Sequence, residues 1–263
     1  MIPQDKLKEW SEAGWIVGPS ETEESFVKRI DIQQTFITSP KQLEKKAKID
    51  SLESLENTRS VMKFLEKHLK VIPKWIMLGY SNRGLTPWEG AAAWTFDFGS
   101  FLQLRKGFKK GRFLFYKREE VILHEALHSL RSAFDEPRFE EIIACYYAKK
   151  SWRRFFGPLF STPMQSYIFL GTLVLTPFAP YVPLAYLLWR VITIVRDQRM
   201  FKRALLKICD LFPQIPPFAL MIRLTDKEIE LFGNQDKKVV QDYIDSQQNN
   251  LRWKQFSLLT LPS

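Results

Sequence analysis

His124-Glu125-Ala126-Leu127-His128 is the run in this chain whose residue types and spacing could do chemistry. On a helix, residues four apart share one face, so His124 and His128 can present both imidazoles to a single metal ion. Glu125 lies about 100° round from His124, close enough to take a proton from a metal-activated water without ligating the metal. Zinc is the ion this pattern predicts, since it suits imidazole ligands and brings the pKa of its water down to roughly 7. The chain has 3 His and 18 Glu in 263 residues, and two of the histidines fall in the motif. Random shuffling would give on the order of 0.002 such matches, so a chance match is the weaker explanation. The context agrees: a strand-like stretch over 112–116 leads into a helix over 117–133, with Ile122, Leu123, Ala126, Leu127 and Leu130 as its buried positions.

A catalytic zinc needs a third protein ligand and an open fourth position. Six residues after His128, where a metzincin has its third His, this chain has Phe134, and Arg131 stands in place of the expected Gly. That subclass is excluded. Asp135 reads as turn chemistry in the break Phe134-Asp135-Glu136-Pro137. Glu140 and Glu141, at the start of a second helix expected over 137–154, are the better ligand candidates. The one that is not a ligand is either a support for the ligands or a charge complementing the helix dipole. His68 reads as a solvated helix residue, and Tyr146 and Tyr147 as packing. A nucleophilic role for Cys145 lacks a separate base and orienting group.

Glu141-Ile-Ile-Ala144-Cys145-Tyr-Tyr-Ala148 resembles the ExxAD-x-[FY]-A pattern of membrane-associated gluzincin peptidases of the HtpX-like group, and its short spacing from His128 resembles that of compact minigluzincins. The resemblance covers about residues 112–150. It implies Glu141 as the third zinc ligand and Ala144 and Ala148 as small packing positions. Cys145 stands where the family has an Asp that holds a motif His in place.

The elements around this motif are legible in outline. Residues 1–38 read as mixed and irregular, and 39–70 as one or two surface helices, with Leu43, Ala47, Leu52, Leu55, Met62, Leu65 and Leu69 at near-helical spacing. From 71 to 116, short apolar runs punctuated by Gly, Asn and Pro read as strands and turns. These include Trp75–Leu78, 92–98, 101–104 and 112–116, the last two forming a hairpin with a basic loop. Thr225 and Glu228 fit a capping box.

Net charge is +10. Lys149, Lys150, Arg153 and Arg154 precede residues 155–189, which carry no charge, and Arg190, Arg196, Arg199, Lys202 and Arg203 follow. Basic flanks around an apolar block favour anionic lipid over nucleic acid, for which no recognition motif is present. Pro177, Pro180 and Pro183 interrupt the block, which favours a membrane-inserted hairpin with both ends on one side; two short spans, a tilted single span and a buried core hairpin are the alternatives. Two isolated cysteines suggest a reducing compartment, and MIPQDKLKEW lacks the apolar core of a cleavable signal peptide.

The expected architecture is α+β: a zincin-like domain (71–154) with a small sheet and active-site helices, a helical region before it (1–70), a membrane-associated apolar hairpin (155–196) and a helical C-terminal region (197–263). The expected activity is that of a membrane-associated zinc metallopeptidase with the active site on the cytoplasmic side, acting on peptides or membrane proteins. Zn2+ would be bound by His124, His128 and Glu141, with Glu125 as general base. The competing readings are a zinc amidase or hydrolase of a non-protein substrate, and a non-catalytic membrane-associated protein with a degenerate motif.

Overall fold

Four strands form the sheet against which the motif helix lies. The computed structural model describes residues 2–38, 49, 52–86, 89–96 and 99–260. In it β1 (Leu52–Ser54), β2 (Met77–Tyr80), β3 (Ala91–Phe96) and β4 (Gly99–Leu104) pair in the order β1-β2-β4-β3. β2 and β4 run parallel, with Met77 beside Phe101 and Tyr80 beside Leu104, while the other two pairings are antiparallel. Every residue of β4 is buried, as suits a central strand covered on both faces. Among the described residues β3 pairs only with β4, so it is an edge. The expected hairpin between 101–104 and 112–116 does not form. β4 takes β2 and β3 as partners instead, and Lys106–Lys110 coils into a 3-10 turn. β5 (Arg112–Phe113) then pairs only with β6 (Tyr116–Lys117).

The first 38 residues, expected to be irregular, carry two helices, α1 (Gln4–Glu12) and α2 (Glu23–Thr38). Their apolar pattern is broken because polar groups occupy the inner face. Buried Gln33 on α2 donates to the carbonyls of Trp75 and Ser100 and accepts the Ser100 N–H, fastening the helix to the sheet. The helical expectation over 39–70 holds for α3 (Arg59–Leu69) and fails at Leu52–Ser54, where backbone pairing with β2 overrides the apolar periodicity. Residues 39–48 lie outside the described residues.

Pro137 opens α5 (Pro137–Cys145) in the first turn, after α4 (Arg118–Leu130). The helix expected to continue to 154 stops at Cys145, and α6 (Ser151–Phe156) begins separately. α7 (Pro163–Val174) and α8 (Tyr181–Leu211) follow, then α9 (Pro217–Met221), α10 (Asp226–Asn234), α11 (Lys237–Ser246) and α12 (Leu251–Thr260). The fold is thus mixed helix and sheet, α+β. Among the described residues the larger apolar core runs from Leu7 and Phe26 through Leu102 and Ile122 to Phe232 and Phe256, and Phe36, Ile49, Met77 and Phe101 form a smaller one.

The uncharged block does bend into a hairpin. α7 and the first turns of α8 pack together across the 175–180 link, with the Tyr186 hydroxyl donating to the Gln165 carbonyl at 3.1 Å. Pro177 and Pro180 sit in the link, and Pro183 sits in the first turn of α8, where its missing N–H breaks no helical bond. Among the described residues no helix is long and apolar enough to cross a membrane. Beyond Ile194 the same helix enters the core through Met200, Phe201, Ala204 and Ile208.

The C-terminal helices are bound by a buried charge. Glu228 forms the capping box with Thr225, and it also accepts from Arg252 at 2.6 Å, Trp253 Nε1 at 2.9 Å and the Tyr243 hydroxyl at 2.8 Å. Thr225→Ala should lower unfolding free energy by about 1 kcal/mol. Glu228→Ala, which leaves the Arg252 cation buried without its partner, should cost roughly 3–5 kcal/mol. Urea denaturation of the two variants checks the ranking, and equal losses would refute it.

Candidate metal centre

The spacing of the motif does what helical geometry dictates. His124 and His128 leave the same face of α4, and their Nε2 atoms stand 3.3 Å apart. α4 lies across β3 and β4, with Ile122, Ala126 and Leu127 buried beneath it. α5 packs against α4 and brings Glu141 to the pair. One carboxylate oxygen lies 3.4 Å from His124 Nε2 and the other 3.4 Å from His128 Nε2. A tetrahedral ion with ligands at about 2.0–2.1 Å has ligand–ligand edges of about 3.3–3.4 Å. The imidazole pair matches such an edge, each carboxylate oxygen stands at that distance from one of the two imidazoles, and the His124, His128, Glu141 group could hold a metal ion.

The remaining ring nitrogens are occupied from behind. His128 Nδ1 meets a Glu140 oxygen at 3.0 Å, and the other Glu140 oxygen accepts from Arg131 Nε at 2.6 Å. The Arg131 guanidinium then donates to the carbonyls of Ile222 and Leu224 at 2.7 and 3.0 Å. Glu140 and Glu141 are therefore separated in role, one orienting an imidazole and the other facing the ligand atoms. Adjacent helix positions lie about 100° apart, which makes that division possible. His124 Nδ1 is met by Cys145 Sγ at 3.8 Å, so the thiol occupies the seat where the resemblance anticipated a carboxylate. Cys145 also donates to Glu141 at 3.5 Å. Gly157 packs directly over this sulfur, and a Cβ there would fall 2.5 Å from it.

The electrostatics follow from these contacts. Burial opposes protonation of His128, but the hydrogen-bonded carboxylates of Glu140 and Glu141 outweigh it and raise the imidazole pKa well above its ordinary value. Burial likewise opposes ionisation of Glu141, and the charges of His124 and His128 overcome it and hold the carboxyl low. Glu140 is also held low, with Arg131 overcoming its burial. Burial first, and then the neighbouring Glu141 charge, push the Cys145 thiol up, so it stays protonated and is a poor nucleophile.

Glu125 is buried on the wall of a cleft of about 590 Å³ that also exposes His124 and Glu141. Gly90 and Ala91, at the start of the edge strand, line one part of this cleft. Tyr116, Trp152, Phe156 and Phe160 line another. The other candidates lie elsewhere. His68 packs on the rings of Phe64 and Tyr147 at 4.4 and 5.2 Å, and Tyr146 stacks on Phe218 at 5.0 Å. Asp135 is exposed in the break between α4 and α5. Arg131 is the residue that sequence reasoning missed as a contributor. Its charge just beyond an apolar helix was the available signal, because such a residue is buried only when paired.

The start of α5 is set by a distant carboxylate. Asp226, opening α10, accepts the N–H groups of Arg138 and Phe139 at 2.9 and 3.2 Å. Glu136 in return accepts the Asp226 N–H at 2.6 Å.

Equilibrium dialysis with zinc should separate the two carboxylates. Glu141→Ala should lose near-stoichiometric binding, whereas Glu140→Gln should retain a site weakened by about 10–100-fold. The reverse order would exchange their roles. No protein-family model, no curated protein and no solved structure matches this chain, so the candidate site rests on its own geometry.

Proposed function

We propose that the chain is a zinc-dependent metallopeptidase of gluzincin type, built on a zincin-like arrangement of α4, α5 and the four-stranded sheet. The observation that carries the reading is the convergence of His124, His128 and Glu141, whose ligand atoms lie within 4.8 Å of one another, with Glu125 beside them in the cleft. Two imidazoles and one carboxylate make a donor set suited to catalytic zinc, with a fourth position left for water or substrate. Zinc bound there would supply a Lewis acid for the scissile carbonyl and a lowered pKa for the attacking water.

The chain's own residues supply the rest. Glu125 neighbours His124 in sequence without belonging to the ligand group, so its carboxylate is placed to take the proton of the attacking water. It then returns that proton to the leaving amine nitrogen, which departs neutral as the C–N bond breaks. Glu140 and Cys145 fix the two imidazole rings from behind, leaving each Nε2 lone pair for the metal. β3 favours a peptide over a small non-protein substrate. Among the described residues β3 pairs on one side only, which suits it to receive an extended chain, and its first residue, Ala91, lies in the cleft wall. The aromatic side chains opposite suit an apolar substrate residue.

Glu125→Gln keeps the shape of the site and removes the base. Hydrolysis of a quenched-fluorescence peptide library by the zinc-loaded protein should fall by about 10²–10⁴-fold while zinc content stays at the wild-type level. Undiminished hydrolysis in this variant, or wild-type hydrolysis indifferent to a chelator, would refute the peptidase reading.

A further inference from the structure

The α7–α8 hairpin leaves a large apolar surface uncovered. Phe178 at its tip is 90% exposed, and Val174, Tyr181 and Leu184 are between 67% and 75% exposed. The pattern persists along both arms through Met164, Ile168, Leu188 and Ile192. Soluble surfaces rarely present so many large apolar side chains together, and such a patch marks a contact with lipid or protein. Charge identifies the occupant. Residues 149–203 hold nine Lys and Arg against one acid, Asp197, and none of these charges falls within 155–189. Asp197 is buried and engaged by Arg138 at 2.8 Å, so the exposed charge at the root of the hairpin is cationic. Lys149, Lys150, Arg154, Arg196, Arg199, Lys202 and Arg203 are all exposed there.

We infer that the hairpin inserts into a single leaflet of an anionic membrane, its tip among the acyl chains and its basic root among the headgroups. The lengths agree with one leaflet. From Tyr181 to Arg190 the helix rises about 13–14 Å, against about 15 Å for half of a hydrocarbon core. Tyr186 and Trp189 then fall at the level where aromatic side chains gather in bilayers. Arg190, the first charge on α8, is turned inward, donating twice to the Leu159 carbonyl at 3.0 and 2.8 Å. Its charge is thereby withdrawn from the apolar face. The root is also joined to the cleft. Trp152, Phe156, Leu159 and Phe160, which line it, belong to the segment that enters the hairpin. Stacking of Arg153 on Tyr116, 4.7 Å from the ring centre, ties in the β5–β6 turn, whose tip residues Leu114 and Phe115 are 72% and 80% exposed. The cleft therefore opens beside the headgroup layer, where it would receive segments emerging from the membrane; this last step rests on the peptidase reading, and the insertion does not.

Flotation of the full chain with vesicles tests the insertion without any measurement of hydrolysis. Wild type should float with vesicles of phosphatidylcholine containing about a third phosphatidylglycerol, less with pure phosphatidylcholine, and less at high salt. The double substitution Phe178→Glu/Leu184→Glu should cut the bound fraction at least about tenfold, with circular dichroism and zinc binding unchanged. Arg196→Glu/Arg199→Glu should lower binding to the anionic vesicles only. The inference is overturned if wild type stays unbound, or if the tip variant floats as well as wild type. It is also overturned if sedimentation shows a wild-type dimer that the tip variant splits while neither binds vesicles, which would assign the surface to a second copy of the chain.

Discussion

Arg131, 1% exposed, is the constraint on which the geometry of the candidate metal site depends. An ion removed from water costs several kcal/mol unless its partners are well placed, so a buried arginine imposes positions on its surroundings. Here it takes one oxygen of Glu140 and two backbone carbonyls of the segment between α9 and α10. With one Glu140 oxygen committed to the cation, the other is aimed at His128 Nδ1, and the far side of that ring faces His124 and Glu141. The angle of one imidazole is thus set by main-chain groups about ninety residues further along the chain. Asp226 acts in the same direction, receiving the first free amides of the helix that carries both glutamates.

How much of this was legible in the sequence divides along the range of the interactions. The 124/125/128 spacing was readable because a helix has one period, and that period alone puts both imidazoles on one face. The capping box at Thr225 and Glu228 is equally local. Glu140 and Glu141 could not be ranked by their own positions, since neighbours at a helix start differ only in azimuth and the partner helix decides which direction is useful. Residues Leu52–Ser54 continued a helical apolar spacing, but β2 offered a free edge and the backbone paired there. In α2 the apolar face is interrupted by Gln33, whose amide serves the backbone of the sheet and reads in sequence as a solvent position. Arg131 was visible only as a departure from a different metal motif, because its carbonyl partners lie far along the chain.

α8 joins two environments within a single element. Its first turns carry exposed apolar side chains, and from Ile194 onward it is part of the core, packed chiefly against α10. The same rod that projects the apolar tip is therefore held by the region that supplies the carbonyls to Arg131. At its entry side the hairpin is pressed against the metal centre, because only hydrogen at Gly157 lets the backbone approach Cys145 so closely. The projection and the candidate metal site thus share one packed support.

The carbonyl–arginine link makes the motif helix a poor candidate for transplantation. A shortened chain ending before α9 would still contain every ligand atom and every strand, and by primary structure would pass for a minimal catalytic module. It would lack the two carbonyls that accept from Arg131 and the carboxylate that starts α5. The released cation would remain paired with Glu140 but without fixed direction, and the orientation of His128 would drift with it. Any effort to miniaturise the site, or to recognise it in a shorter chain, must find a replacement for those acceptors as well as for the ligands.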